Sequence, residues 1–329
     1  MRMHTLEGVG SMKIAVWSHQ VTTSYLQAAI GPSDVGRPFS EIWEKVADGL
    51  SWMNNFDHHA RALGSIDDVL AREVDSAGED GREWKPWVVV AGTQPGVVGT
   101  GYASAEGKLA GQVAVAGAGP GEVPVVIVDL EPHYHGGSTP QFWRDDLGAG
   151  PAHVAAFCAA FLEVTGSSGE IWVAPDARRP HLEPVSFAAW VAQRCVTRIL
   201  PQTYSTDFHP PAESVTIDDF VGDIDRANAL LREYGVTPDR IAHVLPANAA
   251  PAVLCGAIDY THSQGNRAPS LWQRLTVTEE LCAALEAFAD QWSGWTPSTP
   301  PAPTVALEAV RAELTTIGDA VERLRRLVG

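Results

Sequence analysis

No apolar stretch of the 329 residues approaches the roughly 18 consecutive positions that a bilayer-spanning helix needs. The opening stretch, MRMHTLEGVGSMKIAV, lacks an apolar segment of signal-peptide length. Residues 1–12 read as a flexible leader, and cytoplasmic synthesis leaves a virion or extracellular destination open. Cysteine is scarce: Cys158, Cys195, Cys255 and Cys282 lie far apart and form no CxxC. That argues against a zinc site built on thiolates and against a disulfide framework, and leaves four buried thiols. Basic residues are short as well, 23 Lys and Arg against 40 Asp and Glu, for a net charge of −17. Binding by phosphate neutralisation is not expected, nor attraction to an anionic membrane, so neither nucleic acid nor membrane is an expected partner. No candidate strand is followed by GxGxxG or GxxxxGK[ST]. The GAGPGE stretch at 117–122 precedes a strand and reads as a turn.

What is present is enough to build a core: 45% of residues are hydrophobic and 19% charged, with 30 Gly and 23 Pro. Short apolar runs alternate with amphipathic ones. Strands are expected at 13–18, 50–54, 87–91, 123–129, 170–174, 198–202, 241–245 and 270–273. Helices are expected at 39–49, 58–76, 105–116, 151–165, 184–194, 217–234, 251–257 and 278–292. Strands alternating with helices imply a parallel sheet. Eight such units fit an α/β (β/α)8 TIM barrel over residues 13–295 better than an open doubly wound sheet, which stays as the alternative.

Past Trp295 the character changes. Residues 296–304, TPSTPPAPT, read as a stiff Pro-rich linker. In 305–329, Leu307, Val310, Leu314, Ile317, Val321, Leu324 and Val328 form an unbroken 3-4 heptad seam. A helix this short is marginal alone, so a coiled coil that self-associates is expected; a helix packing back on the barrel is the alternative. Deleting residues 296–329 should then leave a folded monomer. Light scattering at micromolar concentration checks this, and a monomeric full-length chain refutes it.

The sharpest chemical signal is VPVVIVDLEPHYHGG, 123–137. An apolar strand runs into Asp129-Leu130-Glu131, and Pro132 ends it. Strand side chains alternate, so Asp129 and Glu131 share a face; in a barrel that face is the interior, at the carboxyl-end mouth. Two carboxyls this close do not both ionise easily, so one holds its proton longer. A protonated carboxyl beside an ionised one is the equipment of a general acid for glycoside cleavage. The bland alternative is a solvated strand end.

The segment PVVIVDLE resembles the fourth strand of glycoside hydrolase family 25 lysozymes and the end of the family 18 chitinase signature. The chitinase resemblance implies Glu131 as proton donor and Asp129 as the group that orients the substrate N-acetyl. In the expected sixth strand, ILPQTYSTDF, Tyr204 stands where chitinases hold the acetamido group, with Asp207 close by. In the eighth, SLWQR, Trp272 stands where both families place a Trp. The strand-one pattern KIAVWSHQ resembles the lysozyme one, but the lysozyme Asp falls on Ala15 and the chitinase Asp after the Tyr falls on Ser205. The resemblance implies a barrel acting on, or descended from one acting on, N-acetylated polysaccharide. Gln202, His133 and Trp17 complete the candidate substrate-binding set.

Trp17, Trp52, Trp172 and Trp272 lie in expected strands, and Trp84, Trp87 and Trp143 near strand ends. Trp272 and one or two others are candidate sugar platforms; the rest fill the barrel wall. His58, His59, His133 and His135 offer a metal set with the two carboxylates. Pro132 breaks that geometry, and His133 and His135 read instead as loop residues lining the mouth. No metal and no cofactor is therefore assigned. Two functions compete: a glycoside hydrolase, and a barrel without catalysis serving as a binding or structural module in a phage tail or cell-surface assembly.

Overall fold

The computed structural model describes residues 14–18, 39–53, 70–71, 75, 83–94, 97–119, 121–130, 143–272 and 277–289. The linker and heptad segment, and helix 58–76 except for three positions, lie outside them. Strands β1 (Ile14–Ser18), β2 (Phe39–Asp48), β3 (Ser51–Trp52), β4 (Glu83–Val89), β5 (Val125–Leu130), β6 (Glu170–Pro175), β7 (Val196–Ile199), β8 (Val244–Pro246) and β9 (Ser270–Trp272) form one sheet. Its order is β7-β6-β5-β4-β2-β1-β9-β8, every neighbouring pair parallel, with β3 alone paired antiparallel to β2. The outer strands meet through parallel bridges from Ile199 to Ile241 and from Gln202 to Val244. The curled sheet therefore returns on itself as a TIM-like barrel.

Among the described residues the continuous helices are α1 (Gly101–Gly117), α2 (Pro151–Thr165), α3 (Arg179–Leu182), α4 (Phe187–Val191), α5 (Ser205–Phe208), α6 (Ile217–Glu233), α7 (Pro251–Ser263) and α8 (Glu279–Ala289). Their starts follow from local chemistry. Pro151 and Pro251 open α2 and α7, where a missing N–H costs nothing. Thr216 and Asp219 close a capping box on α6. α1 and α2 approach closely because Gly107 lacks a side chain: a Cβ there would collide with the Phe157 carbonyl. The stretch 117–122 is the expected turn, closed by the Glu122 N–H on the Gly119 carbonyl at 2.9 Å, with Gly121 at φ 85.

One expectation is corrected. Residues 39–49 carry apolar groups at helical spacing, Phe39, Ile42, Trp43, Val46 and Ala47, yet they form β2. Nearly every position of β2 is buried, as in a parallel strand covered on both faces. The polar residues that suggest a wet helix face are paired inside the protein. Glu41 accepts from Trp43 Nε1 at 2.9 Å, Glu44 from Trp84 Nε1 at 2.7 Å, and Lys45 lies 2.6 Å from Asp48. The expected strand at 50–54 shrinks to β3, folded back on β2 by a turn with Gly49 at φ 58. Because β2 takes the second place, the D-x-E strand β5 is still the fourth parallel strand.

The barrel interior is aromatic where branched aliphatics usually dominate. Trp17, Trp43, Trp87, Trp172 and Trp272 meet edge to face across it, at 5.2 Å for Trp17–Trp87, 5.3 Å for Trp17–Trp43 and 5.7 Å for Trp43–Trp172. Toward the amino ends of the strands the floor is charged. Arg198 lies 3.8 Å and Lys85 5.6 Å from the Trp172 ring centroid, and Lys85 pairs with Glu41 and Glu83. Trp84, Trp143 and Trp190 pack instead in the layer between sheet and helices, and Trp52 packs against it from β3.

Candidate functional site at the barrel mouth

Four of the residues expected in the site converge with Asp129 at the carboxyl ends of the strands. Val125, Ile127 and Asp129 alternate onto the interior face of β5, while Val126, Val128 and Leu130 face the helices. Gln202, just past β7, donates its Nε2 hydrogens to Asp129 Oδ1 at 2.8 Å and to the Ala174 carbonyl at 3.2 Å. Its own N–H is fixed on the Pro175 carbonyl at 2.9 Å. Two residues on, the Tyr204 ring stacks on Trp272 at the end of β9, with centroids 6.1 Å apart and planes 28° apart. Trp17 lies edge-on to Trp272 at 5.9 Å and anchors its Nε1–H on Ser270 Oγ at 2.9 Å. An acid, an amide and a pair of stacked rings thus share one mouth. Trp17 is only 2% exposed, so it supports the Trp272 ring from below and offers little face of its own.

Glu131 and His133 lie outside the described residues, as do His58, His59, His135 and Gln273. Among the described residues no group of three or more His, Cys, Asp and Glu side chains could hold a metal ion. Asp207 lies exposed on α5 and lines a cavity together with Gln202, Thr203 and residues of α3 and α6. Ala15, where the lysozyme Asp falls, is a buried part of the interior core, and Ser205 is fully buried.

The loop that carries Gln202 and Tyr204 is held by a buried network that sequence alone does not signal. His243, with no exposure, takes the Thr203 hydroxyl on Nδ1 at 2.8 Å and gives its Nε2–H to Asn228 Oδ1 at 3.1 Å. Asn228 passes the chain on to Asn266 at 3.2 Å. Across the mouth, Glu106 on α1 accepts the backbone N–H groups of Ala91 and Gly92, both at 2.8 Å, and so fixes the loop after β4.

Burial pushes these two groups in opposite senses. It lowers His243 from 6.5 to about 3, with the Asn266 bond working the other way. It raises Glu106 from 4.5 to about 8 against the pull of the two N–H bonds. A depressed histidine binds fewer protons folded than unfolded, so its contribution is lost as pH falls below 6.5 toward 3. A raised carboxyl binds more protons folded, so its contribution is lost as pH rises from 4.5 to 8. Between 4.5 and 6.5 the two slopes cancel. Above 6.5 Glu106 alone should remove about 2 kcal/mol by pH 8. Urea unfolding of Glu106→Gln should show that alkaline slope gone, whatever the variant's absolute stability. A slope unchanged from wild type would refute it.

No family model matches the sequence, and no curated protein matches it. Solved structures do. A class V chitinase from Pseudomonas fluorescens Pf-5 superposes with TM-score 0.50 at 12% identity, covering 84% of this chain and 99% of that one. The likeness is one of fold. A chitinase A candidate from Streptomyces coelicolor gives 0.50 at 17% identity over 84% of this chain and 99% of that one. The C-terminal domain of a chitinase candidate from Desulfitobacterium hafniense gives 0.55 at 11%, over 86% and 99%. The chain therefore shares the α/β barrel fold of those structures, over nearly their full length.

Proposed function

We propose that the chain is a glycoside-hydrolase-like protein acting on N-acetylated cell-wall polysaccharide, of the peptidoglycan or chitin type, with Glu131 as general acid. The observation that carries this is the mouth itself: Asp129 turned inward and held by Gln202 at 2.8 Å, beside the Tyr204–Trp272 stack. Aromatic faces bind sugar rings, and an inward carboxylate beside them binds an amide N–H or steadies developing positive charge. In this scheme Glu131 protonates the leaving oxygen and Asp129 holds the acetamido N–H. Tyr204 donates to the acetamido oxygen, and Trp272 floors the subsite. The mechanism is substrate-assisted or inverting. Metal ions and cofactors have no part in it.

A second reading is a binding or structural module without turnover, as in a phage tail or cell-surface assembly. It draws on Ala15 and Ser205, which stand where the two families carry acids and are both buried. Incubating the full chain with peptidoglycan and with chitin oligomers, and weighing the products by mass spectrometry, decides between them. New reducing ends are expected. Saccharide binding without any product would establish the module, and neither binding nor product would refute both.

A further inference from the structure

A cavity of about 650 Å³ opens between the α3 segment and α6, and Gln202 is part of its wall. Gln202 is also the residue that donates to Asp129 at the mouth. One residue therefore borders both spaces. The size is that of a small-molecule site.

The side chains around this cavity are arranged, not incidental. Two nearly buried carboxylates, Asp223 on the lining and Asp176 behind Arg178, each hold one arginine and have a histidine nitrogen close by. Asp176 takes Arg178 through Nε at 2.8 Å, with His181 Nδ1 2.9 Å away; Asp223 takes Arg226, and His209 Nε2 at 3.2 Å. The carboxylates are 7% and 4% exposed, while Arg178 and Arg226 are 49% and 68% exposed. A buried acid that fixes an exposed guanidinium leaves the remaining N–H groups of the fork pre-oriented. Asp207 lies on the same lining, and among the described residues its carboxylate has no hydrogen bond or ion pair. Phe208 adds an aromatic ring, with Arg178 over it at 4.8 Å.

The charges of the lining cancel: Arg178, Arg179 and Arg226 stand against Asp207, Asp223 and Glu233. Such a lining gives no net attraction to an anion or a cation. It does offer planar donors, a carboxylate acceptor, an amide and an aromatic edge. Those are the groups that recognise a neutral molecule with many hydroxyls.

We propose that this cavity is a second saccharide subsite, taking an uncharged sugar unit of a chain that also crosses the mouth. The assignment rests on the polysaccharide reading above, and it moves Asp207 from the acetamido group at the mouth to the neighbouring unit. Gln202 is then the hinge of recognition, bonding the catalytic-side carboxylate and walling the second subsite.

Isothermal titration of the full-length chain with chitohexaose tests it. Asp207→Ala and Arg226→Lys are the cavity variants; lysine keeps the positive charge beside Asp223 and removes the planar fork. Trp272→Ala is the mouth variant. Each cavity variant should weaken binding about tenfold, the worth of a hydrogen bond to a charged group. Combined with Trp272→Ala, the losses should multiply, and circular dichroism should be unchanged for the cavity variants. Cavity variants that bind like wild type while Trp272→Ala weakens binding would overturn the subsite and leave the mouth reading intact. Tighter binding of an oligogalacturonate than of chitohexaose would overturn it too, by showing an anion site. No binding of chitohexaose by the wild type would overturn both.

Discussion

Replacing Glu131 by glutamine is expected to lower kcat on N-acetylated oligosaccharides by roughly 10²–10⁴-fold while leaving saccharide affinity nearly unchanged. The substitution keeps the shape and removes only the transferable proton. Glu131 lies two residues beyond Asp129 in the sequence, the spacing expected of two acids that share a strand face. Asp129 is occupied by Gln202 at 2.8 Å. A carboxylate already serving as acceptor is suited to orient a substrate group, which leaves proton delivery to Glu131. The measurement is kcat and Kd on one oligomer for both proteins. Turnover that survives the substitution would remove Glu131 and shift attention to His133 with a bound metal. A module without catalysis gives another pattern: no turnover in the wild type, and affinity that falls with Trp272→Ala but not with Glu131→Gln.

The parts of this architecture that were legible in the sequence are those where one face of an element meets water. α6 has a capping box, a polar stripe and an apolar stripe, and its expected span of 217–234 differs from the observed one by a single residue. The apolar run of β5, closed by an inward acid, was equally plain. Elsewhere the pattern misleads. In β2, Glu41 and Glu44 look solvated, yet they are met from β4, by Lys85 at 3.3 Å and by Trp84 Nε1 at 2.7 Å. A charge satisfied by a distant strand leaves no local trace. The same holds for the site. Tyr204 and Trp272 could be singled out as aromatics near strand ends, but their stacking depends on two strands meeting in three dimensions. Glu106 and His243 carried no signal at all, since their partners are backbone N–H groups and side chains far away in the chain.

The aromatic interior makes the second large prediction one of stability. Trp172→Ala is expected to cost about 3–5 kcal/mol, the range for removing a large buried aromatic from a core. Trp172 is 2% exposed and meets Trp43 edge to face at 5.7 Å. Its Nε1–H is given to Glu170 at 3.0 Å, and Glu170 also takes the Thr197 hydroxyl at 2.8 Å. Arg198 lies over the same ring at 3.8 Å, mostly out of water, and its guanidinium is pushed down to about 10, chiefly by burial. Alanine would leave that cation above a void, so the cost includes a desolvated charge that has lost its aromatic face. Trp172→Phe keeps a ring beneath Arg198 and removes only the Glu170 bond and part of the volume, so it should cost less than half as much. Urea midpoints at constant slope give both numbers. A loss below about 1 kcal/mol for alanine, typical of a surface change, would mean that the ring does not hold the barrel floor. Equal losses for alanine and phenylalanine would assign the stability to the indole N–H and not to the face shared by Trp43 and Arg198.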